Sequence, residues 1–468
     1  MSKEKTLIKN TIIYAVGNFG SKLLSFVLLP LYTYYLSTDD YGYFDLVTTT
    51  IMLLTPIITF QIYDGLYRYL LDSKNNEDSQ NIISNSFFIT IRNLIIFNII
   101  YLIFVQFKSF RYEYIILLQI DFNILFGLFT QISRGLKKNI QYSVSGILST
   151  VVTLSSNILF IVVMNLRVDS LIISNILASI VVIVYLEYSL KIHKYIKFKL
   201  QDNIIKRQLI IYSIPLIPNV ISWWLMNVSD RYLLTFYRGV EANGIYAISN
   251  KFPSILVMLN SIFYLAWQES AITEYESKDK NIFYTKMFNV LMSIQFSSVI
   301  VLISFTKFVM EFMVDAKFSS AWLYVPFLYM GTIFNSFSSF YGTGYLSSKN
   351  TIGAFYTSVI GGILNILINV ICIPIIGIQA ASFSTMLSFL LMWILRLWQT
   401  RRYFKIDIQL KNFIILSSIS AVFIILYYYD NKIINIIMMI LSIIIFFIFN
   451  KKLMDKSMKF IFKKIRRA

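Results

Sequence analysis

Apolar residues along this chain come in long blocks, broken by short polar connections. Blocks near 12–36, 45–63, 82–106, 113–133, 142–164 and 170–190 form a first set. Blocks near 209–237, 244–266, 285–305, 319–341, 351–374 and 376–396 form a second, and two more lie near 411–428 and 433–450. Each is close to the roughly 20 residues of helix that cross a hydrocarbon core. They are too long for barrel strands and lack a period of two, so each predicts a helix. The pattern therefore predicts an all-α polytopic membrane protein with 14 transmembrane helices.

Composition agrees with the pattern. Of 468 residues, 57% are hydrophobic and only 14% charged, against about 25% charged in soluble domains. The 40 Phe and 32 Tyr suit a protein with many membrane–water boundaries, where aromatic rings are favoured. Cys372 is the single cysteine, which excludes a disulfide framework or a cysteine metal cluster. His193, the single histidine, falls in a basic connection and reads as solvated. Met1–Asn10 leads into an apolar run too long for a cleavable signal peptide.

A net charge of +18 suggests nucleic acid until the basic residues are located. They lie almost wholly in the connections and the tail, which excludes that partner. With the N-terminus inside, the inner segments and their flanks hold 31 of the 42 Lys and Arg, the outer ones 7, and 4 remain within or at the ends of spans. The positive-inside rule therefore puts both termini in the cytoplasm. The basic tail 451–468 reads as a topology signal that also attracts anionic lipids.

The chain repeats itself. "LIKNTIIY" (7–14) opens span 1 and "IIKRQLIIY" (204–212) opens span 7. After each comes a Gly-Tyr stretch, "DYGYF" at 40 and "NGIYA" at 243, read as tight connections. Further on, 135–157 resembles 345–369, with Lys137 matching Lys349 and Asn157 matching Asn369. These matches predict two parallel-repeat six-helix lobes, 1–207 and 208–405, with spans 13 and 14 (406–450) added. In transporters built this way the site lies between the repeats. Five of the seven prolines (Pro30, Pro56, Pro215, Pro218, Pro253) fall in spans 1, 2, 7 and 8, corresponding helices of the two lobes. Interrupted helices at corresponding positions point to a transport pathway, although membrane helices also tolerate proline well.

Charges inside spans carry the candidate chemistry. A charge at mid-membrane costs roughly 2.5–3.5 kcal/mol on insertion scales and usually faces a cavity or a partner. Lys22 stands about ten residues, or about 15 Å, inside span 1, too deep to snorkel easily. Asn18, Ser21, Lys22 and Ser25 fall on one face at helical spacing. In span 8, Asn250, Lys251, Ser254 and Ser261 repeat the arrangement; Lys251 either snorkels outward or contacts a substrate. Arg92 is deep in span 3, with a structural pairing to Asp121 of span 4 as its other reading. Arg231, beside Asp230 at the outer end of span 7, reads as an interfacial charge paired to Asp230 or Glu241. Three buried or half-buried cations (Lys22, Lys251, Arg92) against few buried acids favour an anionic ligand such as a phosphate or diphosphate.

Three stretches carry a family resemblance: "LLPLYTYYLSTDDYGYFDL" (28–46), "SDRYLLTFYRGVEANGIYAISNK" (229–251) and "GGILNILINVICIPIIGIQAASFSTMLSF" (361–389). Over essentially its whole length the chain resembles the bacterial O-antigen and capsular polysaccharide flippases. These belong to the superfamily that also holds multidrug and toxin exporters and lipid II flippases. The resemblance implies two six-helix lobes around a cavity that opens alternately to either side of the bacterial cytoplasmic membrane. It implies an undecaprenyl-diphosphate-linked oligosaccharide as cargo, flipped from inner to outer leaflet, and a polysaccharide polymerase among its working partners. Lys22 and Lys251 lie where cavity cations of such flippases are expected, and spans 13 and 14 where the polyprenyl tail would be guided.

Two other readings remain. A cation-coupled drug exporter of the same fold would need a buried acid, for which Asp121 is the candidate, and would run on H+ or Na+. A membrane polymerase or glycosyltransferase would need a long external loop holding carboxylates, whereas the longest outer connection, near 306–318, is short. No nucleophile triad, metal site or phosphate-binding glycine loop stands out, so the chain is expected to need no cofactor and to catalyse no reaction.

Overall fold

The computed structural model describes residues 26–200, 202–348, 352–429 and 431–465. These residues are almost entirely helical, with no strand among them. In chain order the helices are α1 (Leu29–Tyr35), α2 (Thr38–Ile58), α3 (Ile62–Asp72), α4 (Asn76–Phe107), α5 (Glu113–Gly135), α6 (Asn139–Asn157) and α7 (Val168–Leu190). They continue as α8 (Asn203–Ser213), α9 (Ile217–Arg238), α10 (Val240–Glu274), α11 (Lys280–Met313) and α12 (Val325–Ser347). The last are α13 (Ile352–Ile376), α14 (Ile378–Gln399), α15 (Leu410–Tyr427) and α16 (Lys432–Ile465). Eleven described helical stretches are long and apolar enough to cross a membrane.

Helix starts and breaks follow local chemistry. Ser37 caps α2 by accepting the Asp40 N–H at 3.1 Å, and Asp39 and Asp40 in the first turn suit the positive end of the helix. The expected "DYGYF" and "NGIYA" connections are therefore the opening turns of α2 and α10, and span 2 begins earlier than its apolar run. Pro56 stands near the end of α2, whose last carbonyls are met by the turn that follows: the Gln61 N–H bonds to the Pro56 carbonyl at 3.0 Å. There Phe60 and Gln61 take φ of +53° and +54°, a left-handed turn that separates α2 from α3. Pro215 lies in a short 3-10 turn, Ile214–Leu216, between α8 and α9, while α10 runs unbroken through Pro253.

The described residues form two compact units. One runs to Thr235 and includes Gly239–Ala247; the other holds Phe236–Arg238 and continues from Ile248. In the first unit α3, α5 and α7 supply fully buried Leu66, Ile124, Leu128, Ile132, Val182 and Leu186. The first part of span 7 packs here too, since Gly65 leaves room for the Ser213 side chain and Leu209 is buried.

The second unit is built around α12, in which 17 of 23 residues are buried. Phe340 stacks on Trp267 of α10 at 3.9 Å between ring centres. Phe337 meets Phe288 of α11 and Trp393 of α14. A helix enclosed by other helices need not be apolar enough for lipid, so its sequence tolerates Tyr, Ser and Gly. That is why α12 is not among the eleven lipid-compatible stretches.

Candidate functional site

The first unit holds a polar network where α2, α9 and the opening of α10 meet. Gly42 and Gly244 bring the helices together backbone to backbone. A Cβ on Gly42 would lie 2.2 Å from the Val240 carbonyl oxygen, and one on Gly244 would lie 1.9 Å from that of Thr38. Only glycine permits that approach. Beside it, Arg231 forms an ion pair with Asp45, each side chain only 16% exposed. Asn243 ties the network together, donating to the Gly42 carbonyl at 3.0 Å and to the second oxygen of Asp45 at 3.3 Å. The Asp230 carboxylate accepts the Arg231 backbone N–H at 3.0 Å and the Tyr246 hydroxyl. Nearby, Trp224 donates its indole N–H to the Thr49 carbonyl at 2.9 Å, and Tyr232 bonds to Thr50. Arg231 is thus a structural cation whose side chain is held by Asp45, not by Asp230 or Glu241, the partners read from sequence.

Of the deep cations of the sequence, Arg92 belongs to the first unit and Lys251 to the second. Lys22, with Asn18 and Ser25, lies outside the described residues. Arg92 is exposed, not buried, and donates to its neighbour Asn93 at 3.0 Å. Asn93 in turn donates to the Ile58 carbonyl at 2.9 Å, closing the end of α2. The expected Arg92–Asp121 pairing is not formed. Asp121 is half-buried, accepts from Asn98 at 3.0 Å, and keeps its other oxygen without a partner.

In the second unit Lys251 and Asn250 are half-buried on α10. Ser254, expected to extend their polar stripe, turns its hydroxyl back to the Lys251 carbonyl at 2.5 Å. Helical serines often do so, since the i−3 and i−4 carbonyls lie within reach.

A further buried cation was not picked out from the sequence. Arg396 of α14 is 3% exposed. Its guanidinium donates to the hydroxyls of Thr357 and Ser358, each at 3.0 Å, and to the Ser338 carbonyl at 3.0 Å. Gly342 makes the space, because a Cβ there would lie 2.8 Å from the guanidinium. The only sequence signal was an arginine at the end of an apolar run, which reads as an ordinary flanking charge. Between α13 and α14, Asn365, Asn369 and Ser384 form a closed buried triad, with Ser384 donating to Asn369 at 2.8 Å and Asn369 to Asn365 at 3.0 Å. No group of three or more His, Cys, Asp or Glu able to hold a metal occurs among the described residues. What these polar groups do chemically is lock helix pairs: the ion pair is neutral, and most of the donors are met inside the protein, the Arg231 Nε–H being an exception.

Comparison with known proteins places this architecture. A family model described as "Polysaccharide biosynthesis protein" matches residues 7–272. Among solved structures the chain is similar to "Lipid II flippase MurJ, inward closed conformation", at 15% identity and TM-score 0.71, covering 96% of this chain and 100% of that one. It is also similar to an inward-facing multidrug resistance MATE family transporter of the MOP superfamily, at 9% identity and TM-score 0.67, covering 88% and 96%. The outward-facing conformation of a MATE family transporter of the same superfamily gives 13% identity and TM-score 0.61, covering 89% and 96%. No curated protein matches the sequence.

Proposed function

Because the chain belongs to the polysaccharide biosynthesis protein family, and folds as MurJ and MATE transporters do, we propose that it is a flippase. Its cargo in this reading is an undecaprenyl-diphosphate-linked oligosaccharide for O-antigen or capsule, moved from the inner to the outer leaflet by alternating access. The observation that carries the reading is the family match, which spans more than half of the chain. A fold shared with a lipid II flippase along 96% of the chain supports it. The protein would sit in the bacterial cytoplasmic membrane with 14 spans and both termini inside, and would hand its product to a polymerase.

In this reading the lobes 1–207 and 208–405 alternate around a cavity where Lys22, Lys251 and Arg92 receive the diphosphate, since ammonium and guanidinium groups form charge-assisted hydrogen bonds with phosphate oxygens. The glycine crossing and the Arg231–Asp45 pair serve as one gate. A buried ion pair braced by Asn243 holds when closed, yet its partners lie on different helices and separate together.

A second reading is a cation-coupled exporter, favoured by Asp121, a half-buried carboxylate with one unpartnered oxygen, such as a proton or Na+ would seek. Depletion of the protein separates the two. Accumulation of lipid-linked oligosaccharide on the inner leaflet supports the flippase. Unchanged glycan export with altered drug tolerance supports the exporter and overturns the flippase.

A further inference from the structure

A cavity of about 1290 Å³ lies wholly within the second unit. It is bounded by the first turns of α11, the extended connection 404–409, and the stretch of α16 where the apolar run gives way to lysines. Its floor is a built feature. Asn281, Thr285 and Asn289 fall at i, i+4 and i+8, on one face of α11. Their side-chain oxygens accept the backbone N–H groups of Lys405, Asp407 and Gln409 at 2.9, 3.0 and 3.0 Å. Every second N–H of the connection is thereby pinned to every fourth residue of the helix. Asn289 also returns a bond to the Asp407 carbonyl at 2.9 Å. On the far side Asn450 anchors α16 to α11 through Ser297 at 2.8 Å.

Three separate elements each send one lysine to this cavity: Lys286, Lys405 and Lys451. Among the described residues none of the three pairs with a carboxylate. Asp407 also lines the space, so three positive charges less one negative leave +2. The rest of the wall is largely apolar, with Ile448 and Phe449 on the α16 side. The cavity stands at the depth where an apolar helix meets its basic flank, which is headgroup depth. It exceeds the roughly 300–1,000 Å³ of a typical small-ligand pocket, so a lone inorganic anion does not fill it. Basic pockets between membrane helices at this level suit anionic lipid headgroups, with lysines acting as point charges on phosphate.

We propose that this cavity is a binding site for the phosphate headgroup of an anionic membrane phospholipid, whose first acyl carbons lie against Ile448 and Phe449. The site is separate from Lys22, Lys251 and Arg92, the cations assigned to the diphosphate of the cargo, and shares only α16 with the spans expected to guide its tail. A bound lipid there would brace α16 against α11 and the connection between them.

The test uses the full chain in phosphatidylcholine nanodiscs, titrated with phosphatidylglycerol or cardiolipin and read by native mass spectrometry of the released protein. The expected result is a retained anionic-lipid adduct that the combined Lys286→Ala, Lys405→Ala and Lys451→Ala variant binds about a hundredfold more weakly, at about tenfold or less per lysine. Lys137→Ala with Lys138→Ala, in another connection, keeps the adduct. Thermal melting in phosphatidylcholine alone, unchanged in the triple variant, shows that it folds. Three results overturn the proposal: equal binding of phosphatidylcholine, an adduct undiminished in the folded triple variant, or displacement by millimolar inorganic phosphate, which marks a free-anion site. Retention of a polyprenyl-diphosphate lipid in preference to phospholipid also overturns it and assigns the cavity to cargo.

Discussion

Arg231 is held by Asp45, a carboxylate 186 residues away in sequence, whereas hydroxyls and a carbonyl hold Arg396. The two arginines should respond differently to substitution. Asp45→Ala leaves the Arg231 charge uncompensated, at a cost of about 3 kcal/mol. The melting temperature of the detergent-purified protein should fall accordingly, and Asp45→Ala combined with Arg231→Met should recover much of the loss. A double variant no more stable than the single one would mean that Asp45 acts elsewhere. At Arg396 the surrounding hydroxyls have other partners, because Thr357 and Ser358 also bond to carbonyls of their own helix. Arg396→Met should therefore cost less than Asp45→Ala in the same melting assay. Lys22 is argued from sequence alone: Lys22→Ala should abolish glycan export with insertion intact, and Lys22→Arg should retain part of it. Full export by Lys22→Ala would remove that residue from the cargo site. An isolated charge in an apolar run is easy to see in a sequence, so Arg231 was visible. Its partner was not, because ion pairing between helices leaves no trace in spacing. Arg396 escaped notice because a cation at a span end beside Arg401 and Arg402 looks like a topology signal.

At the scale of elements, the two Gly-Tyr stretches were legible as repeats but not as neighbours. Each glycine lies against the backbone of the other stretch, which makes their contact reciprocal. Backbone cannot rotate aside as a side chain can, so Gly42→Ala must push α2 away from α10. Overpacking of this kind costs about 1–3 kcal/mol, and it should lower both melting temperature and glycan export. Gly331→Ala is the control, since its new Cβ would meet ordinary contacts at 3.4 Å and beyond. Similar loss in both variants would mean that any added methyl harms these helices and that the crossing is nothing special. Apolar runs located most spans to within several residues, yet they misplaced the ends. Helix ends are set by caps and strained turns, such as Ser37 before α2 and the left-handed Phe60–Gln61 pair after it, and these sit outside the apolar blocks.

For the whole molecule, hydropathy reports what lipid must touch rather than how many helices cross. α12 shows the gap: its run of Tyr, Ser and Gly is enclosed by other helices, so burial in protein replaces burial in lipid. The count of 14 therefore rests on parity as well as apolarity, because the basic connections alternate with poor ones only if every expected helix crosses. Parity is directly measurable. In a Cys372→Ser background, single-cysteine variants at exposed positions report sidedness to a membrane-impermeant maleimide. Ser109→Cys and Lys432→Cys, in connections expected to be outer, should label in intact cells. Lys278→Cys, in a connection expected to be inner, should label only after permeabilisation. The expected number of crossings between connection 109 and connection 278 is five, made by α5, α6, α7, α8 with α9 as one stretch, and α10, and an odd number places the two connections on opposite faces. Labelling of Lys278→Cys in intact cells would remove one crossing from that interval and reverse the assigned orientation of everything after it, including the tail.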